Sequence, residues 1–98
     1  MIPEQNIVFA LGLAQKAGKV ASGDYAVMDA IKNHKVKLLI IAIDAAENSR
    51  KKLLYLCQEN SIKTIDVLDR ESLGAAIGKA QRTALAITDE NFVKMILK

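Results

Sequence analysis

The apolar positions of this chain follow two periods that take turns along its length. Ile7, Ala10, Leu11 and Ala14 share one face of a helix, with Pro3 suited to its first turn and Gly18 placed as the residue just past its end. Lys19 to Ala21 reads as a short extended piece. Ser22 or Asp24 then offers an N-cap to a second helix, whose buried stripe is Val27, Ala30 and Ile31 and which ends near Asn33. At Lys37 to Ile43 the helical period stops: KLLIIAI is a continuous apolar run of strand length, the pattern of a strand covered on both faces.

The alternation continues to the C-terminus. Asn48 or Ser49 caps a third helix with Leu53, Leu56 and Cys57 on one side, and TIDVL, Thr64 to Leu68, is a strand. Asp69 caps a shorter fourth helix that carries Leu73, Ala76 and Ile77 and stops at Gly78. TALAI, Thr83 to Ile87, is another buried strand, and Thr88 or Asp89 caps a last helix striped by Phe92, Val93, Ile96 and Leu97. No repeat or Pro/Gly/Ser-rich linker interrupts this order, which predicts an α/β fold with a mostly parallel sheet between layers of helix.

Size adds that residues 1–98 form one domain: 98 residues, 51% of them hydrophobic, suffice for one core and not for two. Met1 to Ala10 has no basic n-region, and the longest apolar run, Leu38 to Ile43, is far below membrane-spanning length, so the expectation is a cytoplasmic protein without a membrane partner. Cys57 is the only cysteine, which leaves no disulfide framework and no thiol cluster for a metal. The net charge of +3 permits a polyanionic partner without demanding one.

The glycines and lysines invite a search for phosphate cradles, and the search fails. A P-loop needs two glycines four residues apart followed at once by Lys and Ser or Thr. Gly12 and Gly18 precede Lys19 but have five residues between them; Gly18 and Gly23 are spaced correctly but lead into Asp24 and Tyr25; Gly74, Gly78 and Lys79 are too close. No GxGxxG occurs, so a dinucleotide fingerprint is missing as well. His34 sits in a polar turn with no second ligand or orienting carboxylate in view, and Cys57 lies on an apolar stripe. Asp44, Glu47, Asp66 and Asp69 stand at strand ends or helix starts, where capping explains them. No nucleophile and base pair emerges; catalysis, metal and cofactor are not expected.

The basic residues say more by where they sit. Lys16 and Lys19 follow the macrodipole at the end of helix one, whereas Arg50, Lys51 and Lys52 crowd the first turn of helix three, where each cation is disfavoured by about 0.3–1 kcal/mol. They read either as a solvated face whose charge is screened or as a site. In an open α/β sheet the segments after the strands gather on one edge. Here these are SGDY, DAAENSRKK and DRES, each polar and each opening a helix, with Arg50, Lys51, Lys52 and Arg70 close by. Helix N-termini and cations spread over three loops suit a nucleic-acid backbone better than a small nucleotide. With aromatics at 4% and only Tyr25 in this region, recognition of a structured RNA by shape is expected ahead of base stacking.

GLAQKAGKVASG, KLLIIAIDAAENSRKK, DRESLGAAIGK and ALAITDENF, in that order, resemble the bacterial YlxQ-like branch of the kink-turn-binding ribosomal protein family, over about Ile7 to Phe92. The resemblance implies a three-layer α/β/α sandwich on a four-stranded mixed sheet, without enzymatic activity, that binds RNA. It implies that the start of helix two contacts the guanines of tandem sheared G·A pairs and that the loop after the third strand closes over an extruded base. Gly23 matches the motif's leading glycine, Lys19 a basic residue before it, Asp44 the acid after the central strand, and Leu73 with Gly74 the LG pair. The chain departs from the family where Asn, Glu and Lys are usual: it has Tyr25, Ala26 and Asp29. An alanine cannot accept a hydrogen bond from a guanine, and an aspartate repels phosphate.

The expectation is therefore a small, monomeric, non-enzymatic protein linked to the ribosome or translation. It would bind structured RNA, ribosomal RNA included, through Lys19, Ser22, Gly23, Asp24 and Tyr25, through Asp44, Asn48, Arg50, Lys51 and Lys52, and through Arg70, Leu73 and Gly74. The alternative is a protein-interaction module of the same fold that has lost kink-turn recognition.

Overall fold

A computed structural model describes residues 4–98; Pro3 lies outside the described residues. Five helices and four strands alternate: α1 (Glu4–Lys16), β1 (Val20–Ser22), α2 (Asp24–Lys32), β2 (Leu38–Ile41), α3 (Glu47–Glu59), β3 (Thr64–Asp66), α4 (Arg70–Ala76), β4 (Ala84–Ile87) and α5 (Glu90–Leu97). The strands form one mixed sheet in the order β1-β4-β2-β3. This is the α/β/α sandwich on a four-stranded mixed sheet that the resemblance implied.

Period-two alternation divides the core. Leu38 and Ile40 of β2 with Leu85 and Ile87 of β4 face one layer, where they meet Ile7, Ala10 and Leu11 of α1, Leu73 of α4, and Val93 and Ile96 of α5. Leu39 and Ile41 with Ala84 and Ala86 face the other, against Val27, Ala30 and Ile31 of α2 and Cys57 of α3. The two central strands are buried at every position, as their unbroken apolar runs require.

The expected mostly parallel sheet is corrected by the strand directions. β2 pairs in parallel with β3, but β4 runs antiparallel to both β1 and β2. The cause is the connection after β3. α4 spans seven residues, about 10 Å, and the chain then doubles back beside it. The Arg82 amide donates to the carbonyl of Arg70, the first residue of α4, so β4 starts from the edge at which β3 ended. Hydrophobic period marks a strand's existence and carries no sign of its direction.

Glycine makes this return possible. A Cβ on Gly74 would stand 2.0 Å from the Ala80 carbonyl oxygen, so the incoming chain rests directly on the α4 backbone. The helix ends as expected at Gly78, whose φ of 71° accompanies the Lys79 amide donating to the Gly74 carbonyl; α1 ends in the same way, with Lys19 donating to Ala14.

Two caps fall where the sequence placed them and two do not. Asp69 accepts from the Ser72 amide and Asp89 from the Asn91 amide. α2, however, is preceded by Gly23, not capped by Ser22 or Asp24, and α3 by Ala46, not by Asn48 or Ser49; neither start has a side-chain cap. α3 begins at Glu47, so Arg50, Lys51 and Lys52 follow its first three residues and the expected conflict with the macrodipole is weaker than read. Among the described residues, no helix is long and apolar enough to cross a membrane, and no group of three metal-ligating side chains gathers.

The packing sets three expected outcomes. Gly74→Ala lowers stability by roughly 1–3 kcal/mol, because a fixed main-chain oxygen blocks the methyl, whereas Gly12→Ala in α1, whose nearest neighbour would be 3.5 Å away, raises it by up to about 1 kcal/mol through helix propensity; thermal unfolding gives the signs. Hydrogen bonds from Ser72 hold the Asp69 carboxyl below its ordinary value of 3.8. Because the folded value is depressed, this contribution is complete above 3.8 and is lost as pH falls through the folded value, so Asp69→Asn unfolds with a shallower acid dependence below pH 4. Burial pushes the Cys57 thiol up to about 11. At pH 8 the folded protein resists iodoacetamide while the guanidinium-unfolded chain is alkylated; equal rates would contradict the packing.

Candidate functional site

Since β1, β2 and β3 run the same way and β4 runs against them, one edge of the sheet collects Ser22, Ile41 and Asp66 at the ends of three strands and Ala84 at the start of the fourth. α2, α3 and α4 all begin there. SGDY, DAAENSRKK and DRES thus come together as the sequence reading expected, and the loop that leads into β4 joins them.

At the β1 side of this edge lies the β1–α2 turn. Gly23 has φ 88° and ψ 149°, a conformation that side-chain-bearing residues rarely adopt, with open space where a Cβ would lie. It feeds the chain from the strand straight into α2, and with no side-chain cap the first amides of that helix face solvent. Beside the turn a cleft of about 120 Å³ is lined by Gly23, Asp24 and Met28 of α2's start, Ser49 and Lys52 of α3, and Thr83 before β4. Lys52 makes no ion pair among the described residues.

Arg82 is the residue that the sequence reading missed. Its Nε lies 3.4 Å from Ser22 Oγ, to which it donates, and its terminal nitrogen donates to the carbonyls of Ala80 and Gln81 at 3.0 Å each. Those bonds fix a guanidinium beside the start of α2 without neutralising it. Nothing local in KAQRT announces this role; it follows from the doubling back after α4. By the same geometry, the α4–β4 loop meets the β1–α2 turn.

The other cations are committed differently. Arg50 is hydrogen-bonded to Asp66 as an ion pair, which raises its pKa. Arg70 takes the Asp44 carboxylate twice: its amide donates to Asp44 Oδ1 at 2.9 Å, and its Nε stands 3.5 Å from the same oxygen. Asp44 and Asp66 thereby tie the starts of α4 and α3 to the ends of β2 and β3. Lys51 pairs with Glu47 at 3.7 Å on an exposed face, an interaction of a few tenths of a kcal/mol at most. Asn48 is exposed in the first turn of α3.

Three expected site residues lie away from the edge. Leu73 is fully buried in the core, and Gly74 is covered by the returning chain. Lys19 stands at the opposite end of β1, where its carbonyl accepts from the Thr88 amide and hydroxyl. Tyr25, 85% exposed, projects from the first turn of α2. His34 occupies the left-handed residue after α2, with φ 56°, and Lys35 donates to Ala30 across it, so it closes a helix as a turn residue.

The model of the ribosomal protein L7Ae/L30e/S12e/Gadd45 family matches residues 5–97. The chain is 37% identical over 87 residues to the RNA-binding protein YlxQ of Bacillus subtilis (strain 168), covering 89% of this chain and 87% of that protein. It is 30% identical over 90 residues to the RNA-binding protein YlxQ of Enterococcus faecium, covering 92% and 86%. A solved structure of a protein with unknown function from Bacillus halodurans superposes with a TM-score of 0.84 at 32% identity, covering 94% of this chain and 97% of the other. The fold, the order of motifs and these matches agree: the chain is a YlxQ-like member of the ribosomal protein L7Ae/L30e/S12e/Gadd45 family.

Proposed function

We propose that this protein is a small, non-enzymatic RNA-binding protein of the cytoplasm. In this reading it grips structured, kink-turn-like RNA with the sheet edge where α2, α3 and α4 begin, in association with the ribosome or translation. The observation that carries the reading is the pairing of an uncapped α2 start with two cations that no carboxylate neutralises among the described residues, Lys52 across the cleft and Arg82 on Ser22. Free amides and fixed positive charge along one edge fit phosphates of a folded backbone. Relatives named as RNA-binding proteins support it.

Within this site the cations are unequal. Arg50 and Arg70 are held by Asp66 and Asp44 and serve first as braces, so Lys52 and Arg82 carry the phosphate contacts. A second reading, an interaction module that has lost kink-turn recognition, draws on Ala26 and Asp29, which stand where the family has Glu and Lys. Partners that persist in a ribonuclease-treated lysate favour that reading.

Binding through three or four phosphates gives log affinity against log salt a slope on the order of −3. Lys52→Ala and Arg82→Ala are each expected to reduce that slope by about one and to weaken binding to all structured RNAs alike, with Arg50→Ala weaker in effect. Fluorescence anisotropy over a salt series measures this; a slope near zero, or no binding at low salt, contradicts the proposal.

A further inference from the structure

On the far side of α2 from the cleft lies a second concavity, lined in part by the residues that depart from the family motif. It is an open groove of about 500 Å³ between the exposed face of α2 and β1, an edge strand of the sheet. Its shape follows from the helix sequence. Tyr25, Ala26, Asp29 and Ala30 fall on one face of α2; the two alanines lie toward β1 and leave a floor too shallow to fill the space, while Tyr25 and Asp29 are exposed beside it. Lys19 from the start of β1 and Lys35 from the turn after α2 complete the lining.

These groups form a consistent set of binding chemistry. Tyr25 offers an aromatic face at 85% exposure, and neither its hydroxyl nor the Asp29 carboxylate has a hydrogen-bond partner within the described residues. The two residues are four apart on the helix, so their Cβ atoms lie about 5–6 Å apart and a planar ring stacked on the tyrosine brings its edge to the carboxylate. A carboxylate accepts and never donates at neutral pH. Of the four RNA bases, guanine alone presents two adjacent donors on its Watson–Crick edge, N1–H and the N2 amino group, matching two carboxylate oxygens. Adenine and cytosine turn a ring-nitrogen lone pair toward the acid, and uracil flanks one donor with two carbonyls. Lys19 and Lys35 supply charge for the phosphates on either side of such a nucleotide.

We infer that the α2–β1 groove takes an unpaired guanine nucleotide of the bound RNA, stacked on Tyr25 and read by Asp29, with Lys19 and Lys35 on its phosphates. This rests on the RNA-binding reading of the neighbouring edge and narrows it to RNAs that extrude a guanine beside the helix held there. It turns the residues that depart from the family motif into a selective site: Asp29 repels phosphate but suits a guanine edge, and Ala26 gives the base room. The low aromatic content that argued against stacking on a run of bases is compatible with one platform for one base.

The test uses the full chain and a hairpin RNA carrying tandem G·A pairs and one unpaired nucleotide, made with guanine, adenine or an abasic residue at that position. The wild type is expected to bind the guanine form roughly tenfold more tightly than the adenine form, and the adenine form more tightly than the abasic one, because any base gains from stacking on the tyrosine. Asp29→Ala reduces guanine to the adenine level. Tyr25→Leu reduces both base forms to the abasic level, and Tyr25→Phe retains the preference. Both side chains are exposed, so unchanged thermal unfolding shows that the variants fold. Equal binding of the three RNAs by the wild type, a preference for adenine, or a guanine preference that survives Asp29→Ala overturns the groove assignment while leaving the edge as an RNA site. Binding to none of the hairpins at low salt overturns both.

Discussion

The candidate site on this protein depends on the doubling back of the chain after α4. A seven-residue helix cannot carry the chain across the sheet, and the Arg82 amide bonded to the Arg70 carbonyl returns it to the edge from which it left. That return sends β4 antiparallel between β1 and β2, seals the middle of the sheet with Leu85 and Ile87 on one face and Ala84 and Ala86 on the other, and delivers Arg82 to Ser22. Gly74 is the point of closest approach, which gives the LG pair a physical reason: Leu73 fills the core and Gly74 lets the returning backbone lie on the helix.

The small residues of β4 have a second effect. On the α1, α4 and α5 side the sheet presents branched side chains to three helices. On the other side Ala84 and Ala86 sit beneath α2, and the cleft at the edge runs from Ala84 past Gly23 to Lys52. Polar chemistry concentrates around the two ends and outer face of α2, while α1 and α5 provide support.

Most of the element order was legible because burial imposes period, and burial is strong here: KLLIIAI and TALAI hold the covered strands β2 and β4, although Lys37 and the exposed Ile43 lie outside β2 and Thr83 outside β4, and Gly18, Gly78, Asp69 and Asp89 terminate or cap helices by local chemistry alone. Strand direction was not legible, since it rests on where a loop returns and no local signal encodes that. The helix starts at Gly23 and Ala46 were misread for a related reason: polar side chains nearby were free to cap but found other partners, as Ser22 found Arg82, or faced solvent, as Asn48 does. In the candidate site, the sequence grouped three loops that do share one edge and picked out Gly23, which opens α2 with φ 88°. It could not tell the cations that brace the fold, Arg50 and Arg70, from Lys52, or see that Lys19 and Lys35 converge on the groove beside Tyr25.

In the proposed function, one edge of the sheet, organised by the β1–α2 turn and the α4–β4 loop, is the face that meets RNA. Titrating isotope-labelled protein with a structured hairpin RNA and following backbone amide resonances tests it most directly. The largest shifts are expected at Gly23, Asp24, Lys52 and Arg82, with α1 and α5 unmoved. Shifts centred on the exposed Phe9 and Leu13 of α1 or Met95 of α5, with the β1–α2 turn silent, would contradict it.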